Sequence, residues 1–121
     1  MSVTDALRIY QELDHPGGEA SSMASLARSY HLVGYLERAA QFAMRALESH
    51  RAMGSGVEVA RVLTTLGDIR VAAGDRIAAD AMFRAALAIL DELRLPQADD
   101  LRDRLASTTG QSGAPARIAS A

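Results

Sequence analysis

Residues 23–50 read MASLARSYHLVGYLERAAQFAMRALESH, and residues 63–90 read LTTLGDIRVAAGDRIAADAMFRAALAIL. The two stretches align without a gap, with Met23 opposite Leu63 and His50 opposite Leu90. Residues that stand 40 positions apart, in this alignment or in its continuation to either side, are called equivalent below. Identical residues recur in it: Leu26 and Leu66, Gly34 and Gly74, Ala39 and Ala79, and the Ala-Leu pairs at 46–47 and 86–87. Self-similarity at a fixed period indicates a repeat architecture.

Each copy has the pattern of a helical hairpin. The first helices are predicted at 19–33 and 59–73. Each has four residues at the spacing i, i+3, i+4 and i+7, which places them on one face of a helix. They are Met23, Leu26, Ala27 and Tyr30 in the first copy and Leu63, Leu66, Gly67 and Arg70 in the second. Gly34 and Gly74 follow, where a helix C-terminus favours a residue that tolerates positive φ. The second helices are predicted at 36–52 and 76–94, with Asp75 as an N-cap. The links between copies, 14–18 and 54–56, consist mainly of turn-forming residues.

Partial copies flank the two complete ones. We predict a repeat domain over residues 1–107, with full units at 19–53 and 59–94 and partial units at 3–13 and 97–107. Ser2, with Asp5 three positions later, fits a capping box at the first helix. Periodicity is lost after residue 107, so residues 108–121 are predicted to form a disordered tail.

Composition and charge favour the same fold and exclude several partners. Apolar residues make up 49% of the chain and aromatic residues 4%, and the dominance of Ala and Leu favours helices. The formal net charge is −2 and there is no cysteine, which argues against direct nucleic-acid binding and excludes disulfides. The N-terminus does not resemble a secretory signal, and no apolar run is long enough to span a bilayer. We expect a soluble, cytoplasmic, all-α protein with no membrane partner.

These patterns resemble the tetratricopeptide repeat, whose motif is W-x2-L-G-x2-Y followed by A-x3-F. The matching positions in the first copy are Met23, Leu26, Ala27, Tyr30, Ala39 and Ala43. Those in the second copy are Leu63, Leu66, Gly67, Arg70, Ala79 and Phe83. The resemblance implies antiparallel hairpins stacked as a short right-handed solenoid of about five or six helices, with a concave surface that binds a partner.

The chain departs from the tetratricopeptide motif at several points. There is no Trp, Arg70 replaces the usual aromatic residue, and no Pro closes either unit. The period is 40 residues rather than about 34, and we attribute the excess to longer inter-unit links and longer second helices. The longer period resembles arrays in bacterial regulators of the actinobacterial type.

Eight residues beside the core stripe of the first helices are the predicted partner-binding face. They are Ser21, Ala24, Arg28, His31, Arg61, Thr64, Asp68 and Val71. In this interpretation Arg28 and Arg61 contact an acidic group or a terminal carboxylate, and Asp68 contacts a basic group. The alternative is that these positions are only the solvated faces of amphipathic helices.

The sequence has no motif for catalysis or for metal binding. His15, His31 and His50 are not spaced as metal ligands, and there is no H-E-x-x-H motif. There is also no Cys nucleophile, no G-x-S-x-G elbow and no phosphate-binding loop of the Walker type. We therefore expect no enzyme activity, no cofactor and no metal.

The N-terminal helix suggests self-association. Val3, Ala6 and Ile9 widen its apolar arc beyond a single contact face. Terminal repeats need a polar outer surface, so either the chain is a fragment of a longer array or another copy covers this arc. A homodimer through the N-terminal helix is one of the expected outcomes.

The leading functional hypothesis is a protein-protein interaction module, acting as a scaffold that binds a protein or peptide in its concave groove. The resemblance to bacterial regulators suggests a role in transcription regulation. The second hypothesis is a sensor domain for a small molecule or signal peptide, and the third is an accessory subunit of an enzyme.

Overall fold

The computed structural model describes residues 2–13 and 15–106. Every regular element in these two ranges is a helix, so the predicted all-α class is confirmed. The helices are α1 Val3–Glu12, α2 Pro16–Leu32, α3 Leu36–Ala52, α4 Gly56–Ala72, α5 Arg76–Glu92 and α6 at residues 97–106. The tail predicted for residues 108–121 lies outside the described residues.

The period of the sequence repeat is visible in the helix bounds. Helices α2 to α5 each contain 17 residues, and they begin at positions 16, 36, 56 and 76. The bounds of α4 and α5 are therefore equivalent to those of α2 and α3 in the alignment of the two copies. Short links at 33–35, 53–55 and 73–75 separate these helices, and residues 93–96 link α5 to α6.

Two details of the sequence prediction are wrong. The first helices begin at Pro16 and Gly56, one helical turn before the predicted starts at 19 and 59. The inter-unit link 53–55 is as short as the links within hairpins, so extra residues in this link do not account for the 40-residue period. The first turn of α2 contains Pro16, Gly17 and Gly18, which also favour turns. Proline at the first helical position is a helix start signal instead.

The helix ends have specific local causes. The second residue of each link has positive φ: Gly34 at 87°, Gly54 at 69°, Gly74 at 82° and Arg94 at 55°. Asp75 and Ser2 cap α5 and α1 as predicted, accepting hydrogen bonds from the backbone N–H groups of residues 78 and 5, both at 3.1 Å. Helix α2 has a cap that the sequence did not reveal, since His15 Nδ1 accepts from the N–H of Gly18 at 2.8 Å.

The helices pack in chain order. Each of α1 to α4 contacts the next helix, with the most extensive contacts in the pairs α2–α3 and α4–α5, and α2 also contacts α4. The two pairs are the two hairpins, hereafter the first hairpin (α2–α3) and the second hairpin (α4–α5). Their buried side chains form one continuous core, which also takes in Leu7 of α1 and Ala98 and Leu101 of α6. The first helices of both hairpins therefore lie side by side.

Candidate partner-binding grooves

A first groove, the α4–α6 groove, lies between the second hairpin and α6. Its volume is about 300 Å³. Apolar side chains from three helices line it: Val57, Ala60, Leu90 and Leu101. Polar and charged side chains share the lining: Arg61, Thr64, Thr65, Gln97, Asp100 and Arg104. An apolar surface with a few convergent polar groups is typical of a binding site.

Charged contacts attach α6 to the second hairpin beside this groove. The Arg104 guanidinium lies 4.8 Å from the centroid of the Phe83 ring and forms an ion pair with Asp68. Arg102 forms ion pairs with Asp91 and Asp99. The hydrogen bond and negative charge of Asp91, followed by the charge and hydrogen bond of Asp99, raise the pKa of Arg102. Side chains of α6 therefore form one wall of the groove.

A second groove, the α1–α2 groove, lies at the end of the molecule where α1, α2, α3 and α4 approach one another. Its volume is about 670 Å³. Val3, Ala6 and Tyr10 of α1 line one part. The other lining residues are His15, Gly17, Gly18, Ser21, Ser22, Ser25, His50, Met53, Ser55 and Glu58. This groove is much richer in hydroxyl and imidazole groups than the α4–α6 groove.

His50 is the most unusual residue of the α1–α2 groove. Its side chain is only 1% exposed, and neither ring nitrogen has a hydrogen-bond partner among the described residues. The equivalent residue of the second copy is Leu90, which is buried in the core and lines the α4–α6 groove. Buried polar groups are nearly always hydrogen-bonded, so an unpartnered imidazole at a leucine position needs an explanation.

The structure divides the eight residues of the predicted partner-binding face. Arg61 and Thr64 line the α4–α6 groove, and Ser21 lines the α1–α2 groove. Asp68 is engaged within the chain, where it pairs with Arg104. Within the described ranges, neither groove is lined by the remaining four residues, which are Ala24, Arg28, His31 and Val71.

Intramolecular contacts explain part of this division. Ala24 is buried and offers no surface to a partner. The Arg28 guanidinium donates to Ser25 Oγ at 3.1 Å, and the Thr64 hydroxyl donates to the carbonyl of Ala60 at 2.9 Å. Arg61 lies 3.1 Å from a carboxylate oxygen of Glu58, in a pair that solvent reaches, and exposed pairs of this kind contribute little and exchange easily.

The N-terminal residues predicted for self-association are also divided. Val3 packs against the core, and Ala6 is half-buried beside it in the wall of the α1–α2 groove. Ile9 is 38% exposed, and Leu13 is 70% exposed. The outward apolar surface at α1 therefore includes Ile9, which the sequence indicated, and Leu13 just beyond the helix, which it did not.

Sequence reasoning missed the contribution of α6 and of His50. Gln97, Asp100, Leu101 and Arg104 enter the α4–α6 groove from a segment that the sequence marks only as a partial unit. A signal for His50 was present in the alignment of the two copies, because a polar residue stands opposite the apolar stripe residue Leu90.

Metal sites and membrane spans are both absent from the part of the chain that the structure describes. No three His, Cys, Asp or Glu side chains within residues 2–13 and 15–106 are grouped so that they could hold a metal ion. None of the helices in these ranges has both the length and the apolar character needed to cross a bilayer.

No protein-family model matches the chain, and no curated protein matches it significantly. The function is therefore inferred from the grooves themselves and from the motif residues that resemble the tetratricopeptide repeat.

Proposed function

We propose that the chain is an interaction module that binds a segment of a partner protein in the α4–α6 groove. The observation that carries this proposal is the apolar lining of Val57, Ala60, Leu90 and Leu101 with Arg61 and Asp100 beside it. Such a surface accepts one or two apolar side chains of a peptide, while the charges select the residues that flank them. The volume of about 300 Å³ suits a few side chains rather than a large cofactor.

The resemblance to longer-period arrays supports a role within a bacterial regulatory system, in which the module holds a partner and takes part in transcription regulation. We place this function in the cytoplasm. An enzyme activity is not part of the proposal: serines, histidines and Glu58 line the α1–α2 groove, but among the described residues neither ring nitrogen of His50 is hydrogen-bonded to a hydroxyl or a carboxylate, as a nucleophile, base and orienting group would be.

The test uses a displayed library of random peptides and matched charge reversals. Peptides selected on the full chain should lose at least about tenfold in affinity for Arg61→Glu, a change of about 1.4 kcal/mol. Arg28→Glu is the control, because Arg28 lies on the neighbouring first helix and is not among the described residues that line either groove. Affinities are measured by isothermal titration calorimetry.

Two results would contradict the proposal. If Arg28→Glu weakens binding and Arg61→Glu does not, the partner uses another part of the first-helix face. If no peptide is enriched over an unrelated helical protein, the α4–α6 groove is not a peptide site.

Self-association through α1 remains a prediction, and it depends on Ile9 and Leu13. Light scattering after size-exclusion chromatography at several concentrations should show dimers that Ile9→Glu converts to monomers. A monomer at every concentration would remove self-association from the proposal.

A further inference from the structure

The α1–α2 groove contains a buried side chain that the proposed peptide site does not use. His50 lines this groove, and both of its ring nitrogens are buried without a hydrogen-bond partner in the described ranges. An unpartnered buried donor or acceptor costs free energy that an apolar residue of similar shape would not. The residue therefore lowers stability unless something outside the protein binds it.

The second hairpin shows that the fold does not require this polarity. Leu90 is the equivalent of His50, and Val62 is the equivalent of Ser22. All four residues are buried, in helices with equivalent bounds. Since apolar side chains fill both positions in one hairpin, the polar pair in the other serves a purpose other than packing.

Several groups that can donate hydrogen bonds lie at the α1–α2 groove. In the first turn of α4 the N–H groups of Gly56 and Val59 donate to the carbonyls of Gly54 and Ser55. Those of Val57 and Glu58 have no backbone acceptor in the described part of the chain, and the N-cap Ser55 makes no side-chain hydrogen bond to them. These N–H groups carry partial positive charge. Hydroxyl groups of Ser21, Ser22 and Ser25 line the same groove. By contrast, the first turn of α2 is already capped by His15.

One carboxylate, that of Glu58, also lines the groove. It forms an ion pair with Arg61 at 3.1 Å, so its negative charge is partly compensated. Glu58 does not turn the groove into a cation site, because no group of acidic and imidazole side chains in the described ranges could hold a metal ion.

We propose that the α1–α2 groove binds a small molecule through an oxyanion group, either a carboxylate or a phosphate. His50 and the first turn of α4 donate hydrogen bonds to the oxyanion, as helix N-termini do in other anion sites. The volume of about 670 Å³ leaves room for the rest of a metabolite. Met53 also lines the groove, and its unbranched, flexible side chain can shift to admit the ligand to the buried nitrogens.

The first experiment follows the imidazole directly. Long-range ¹H–¹⁵N spectra of the full chain, labelled with ¹⁵N, resolve the three histidine rings, which His31→Val and His50→Leu assign. Sodium phosphate and sodium acetate are titrated separately against sodium chloride of equal ionic strength. Phosphate, acetate or both should shift the His50 ring nitrogens in a saturable way, while the ring of His31 stays unchanged.

Variants taken from the other hairpin then test the site. His50→Leu and Ser22→Val introduce the equivalents Leu90 and Val62, and each should weaken anion binding at least about tenfold, measured at the backbone amides of Val57 and Glu58. His31→Val introduces the equivalent of Val71 away from the groove and should leave binding unchanged. Ser22→Val and the wild-type spectra remain informative if His50→Leu fails to fold.

Each outcome decides the proposal. A response to phosphate alone identifies a phosphorylated ligand, a response to acetate alone identifies a carboxylate, and a response to both supports a general oxyanion site. No response at the His50 ring overturns the proposal. A response that both variants retain at wild-type strength indicates an adventitious ion only and overturns it as well.

Discussion

The two hairpins have equivalent helix bounds, but their interiors differ. In the second hairpin Phe83 is buried, and its ring lies where a Cβ atom on Gly67 would be. The equivalent residues of the first hairpin are Ala27 and Ala43, both buried. One hairpin pairs a large residue with glycine, and the other pairs two small residues.

The aromatic rings of Tyr30 and Phe42 in the first hairpin lie nearer the surface than the Phe83 ring in the second. The Tyr30 ring stacks on Phe42 with centroids 5.6 Å apart, and both residues are only half-buried. The second hairpin has Arg70 and Met82 at these positions. The first hairpin thus has aromatic rings near its surface and polar residues, Ser22 and His50, in its interior.

A repeated backbone can thus tolerate a redistribution of apolar volume between its copies. Apolar burial is the dominant favourable term in folding, so the second hairpin is expected to supply more of the stability. The first hairpin can then hold a polar groove. Substitutions that exchange equivalent residues test this division.

The largest effect is expected for Phe83→Ala. It removes a buried ring that packs against Gly67 and beneath Arg104, so the free energy of unfolding should fall by about 3–5 kcal/mol. In the first hairpin, Phe42 precedes Ala43, the equivalent of Phe83. Phe42→Ala should lower the free energy of unfolding by only about 1–2 kcal/mol, because Phe42 is half-buried. Urea unfolding followed by circular dichroism measures both, and equal losses would mean that the two interiors do not differ in this way.

A smaller effect, with a change of sign, is expected for Gly67→Ala. In the wild type the new methyl group overlaps the Phe83 ring, so the free energy of unfolding should fall by about 1–2 kcal/mol. In the Phe83→Ala background the same change recreates the Ala27 and Ala43 pair and should gain about 0.5–1 kcal/mol from helix propensity. A double-mutant cycle measures the coupling, and two effects of equal sign and size would show that Phe83 is not the cause.

The helix caps give the next effect. Asp75 accepts a hydrogen bond from the N–H of Ala78, whereas its equivalent Tyr35 makes no side-chain cap to any described residue. Asp75→Ala should lower the free energy of unfolding by about 1 kcal/mol, and Tyr35→Ala should change it by less than about 0.5 kcal/mol. The same urea titrations compare the two variants, and an equal loss in both would argue against the cap.

The smallest effect concerns the link between α5 and α6, residues 93–96. Arg94 has a φ of 55°, whereas its equivalent Gly54, like Gly34 and Gly74 in the other links, is a glycine. Arg94→Gly should raise the free energy of unfolding by about 0.5–1 kcal/mol, because a side chain is strained in this backbone region. A loss of stability in thermal unfolding would mean that contacts of the Arg94 side chain outweigh the strain.

Much of this fold follows from local signals in the sequence. The stripe of Leu26 and Leu66, the glycines at 34 and 74, and Asp75 predict helices, helix ends and a cap that the structure shows. The first turn of α2 was missed because Pro16 and Gly17 are compatible with a loop as well as with a helix start.

The site was less predictable because it depends on contacts between distant parts of the chain. The helical wheel places Asp68 beside the core stripe of α4, but only the position of α6 brings Arg104 to it. Likewise, the sequence places both Arg28 and Arg61 beside the core stripe of a first helix. Only the structure shows that Arg61 lines a groove. The burial of His50 required the packing of α1 to α4 to be known.

We infer that the first hairpin gives up stability for a polar groove around His50. The free energy of unfolding of His50→Leu, measured in a buffer without carboxylate or phosphate, tests this inference directly. The substitution places the equivalent of Leu90 in the same buried position, so the free energy of unfolding should rise by about 1–2 kcal/mol. A fall on the order of 1 kcal/mol, the size of one ordinary hydrogen bond, would show instead that the imidazole is satisfied within the protein.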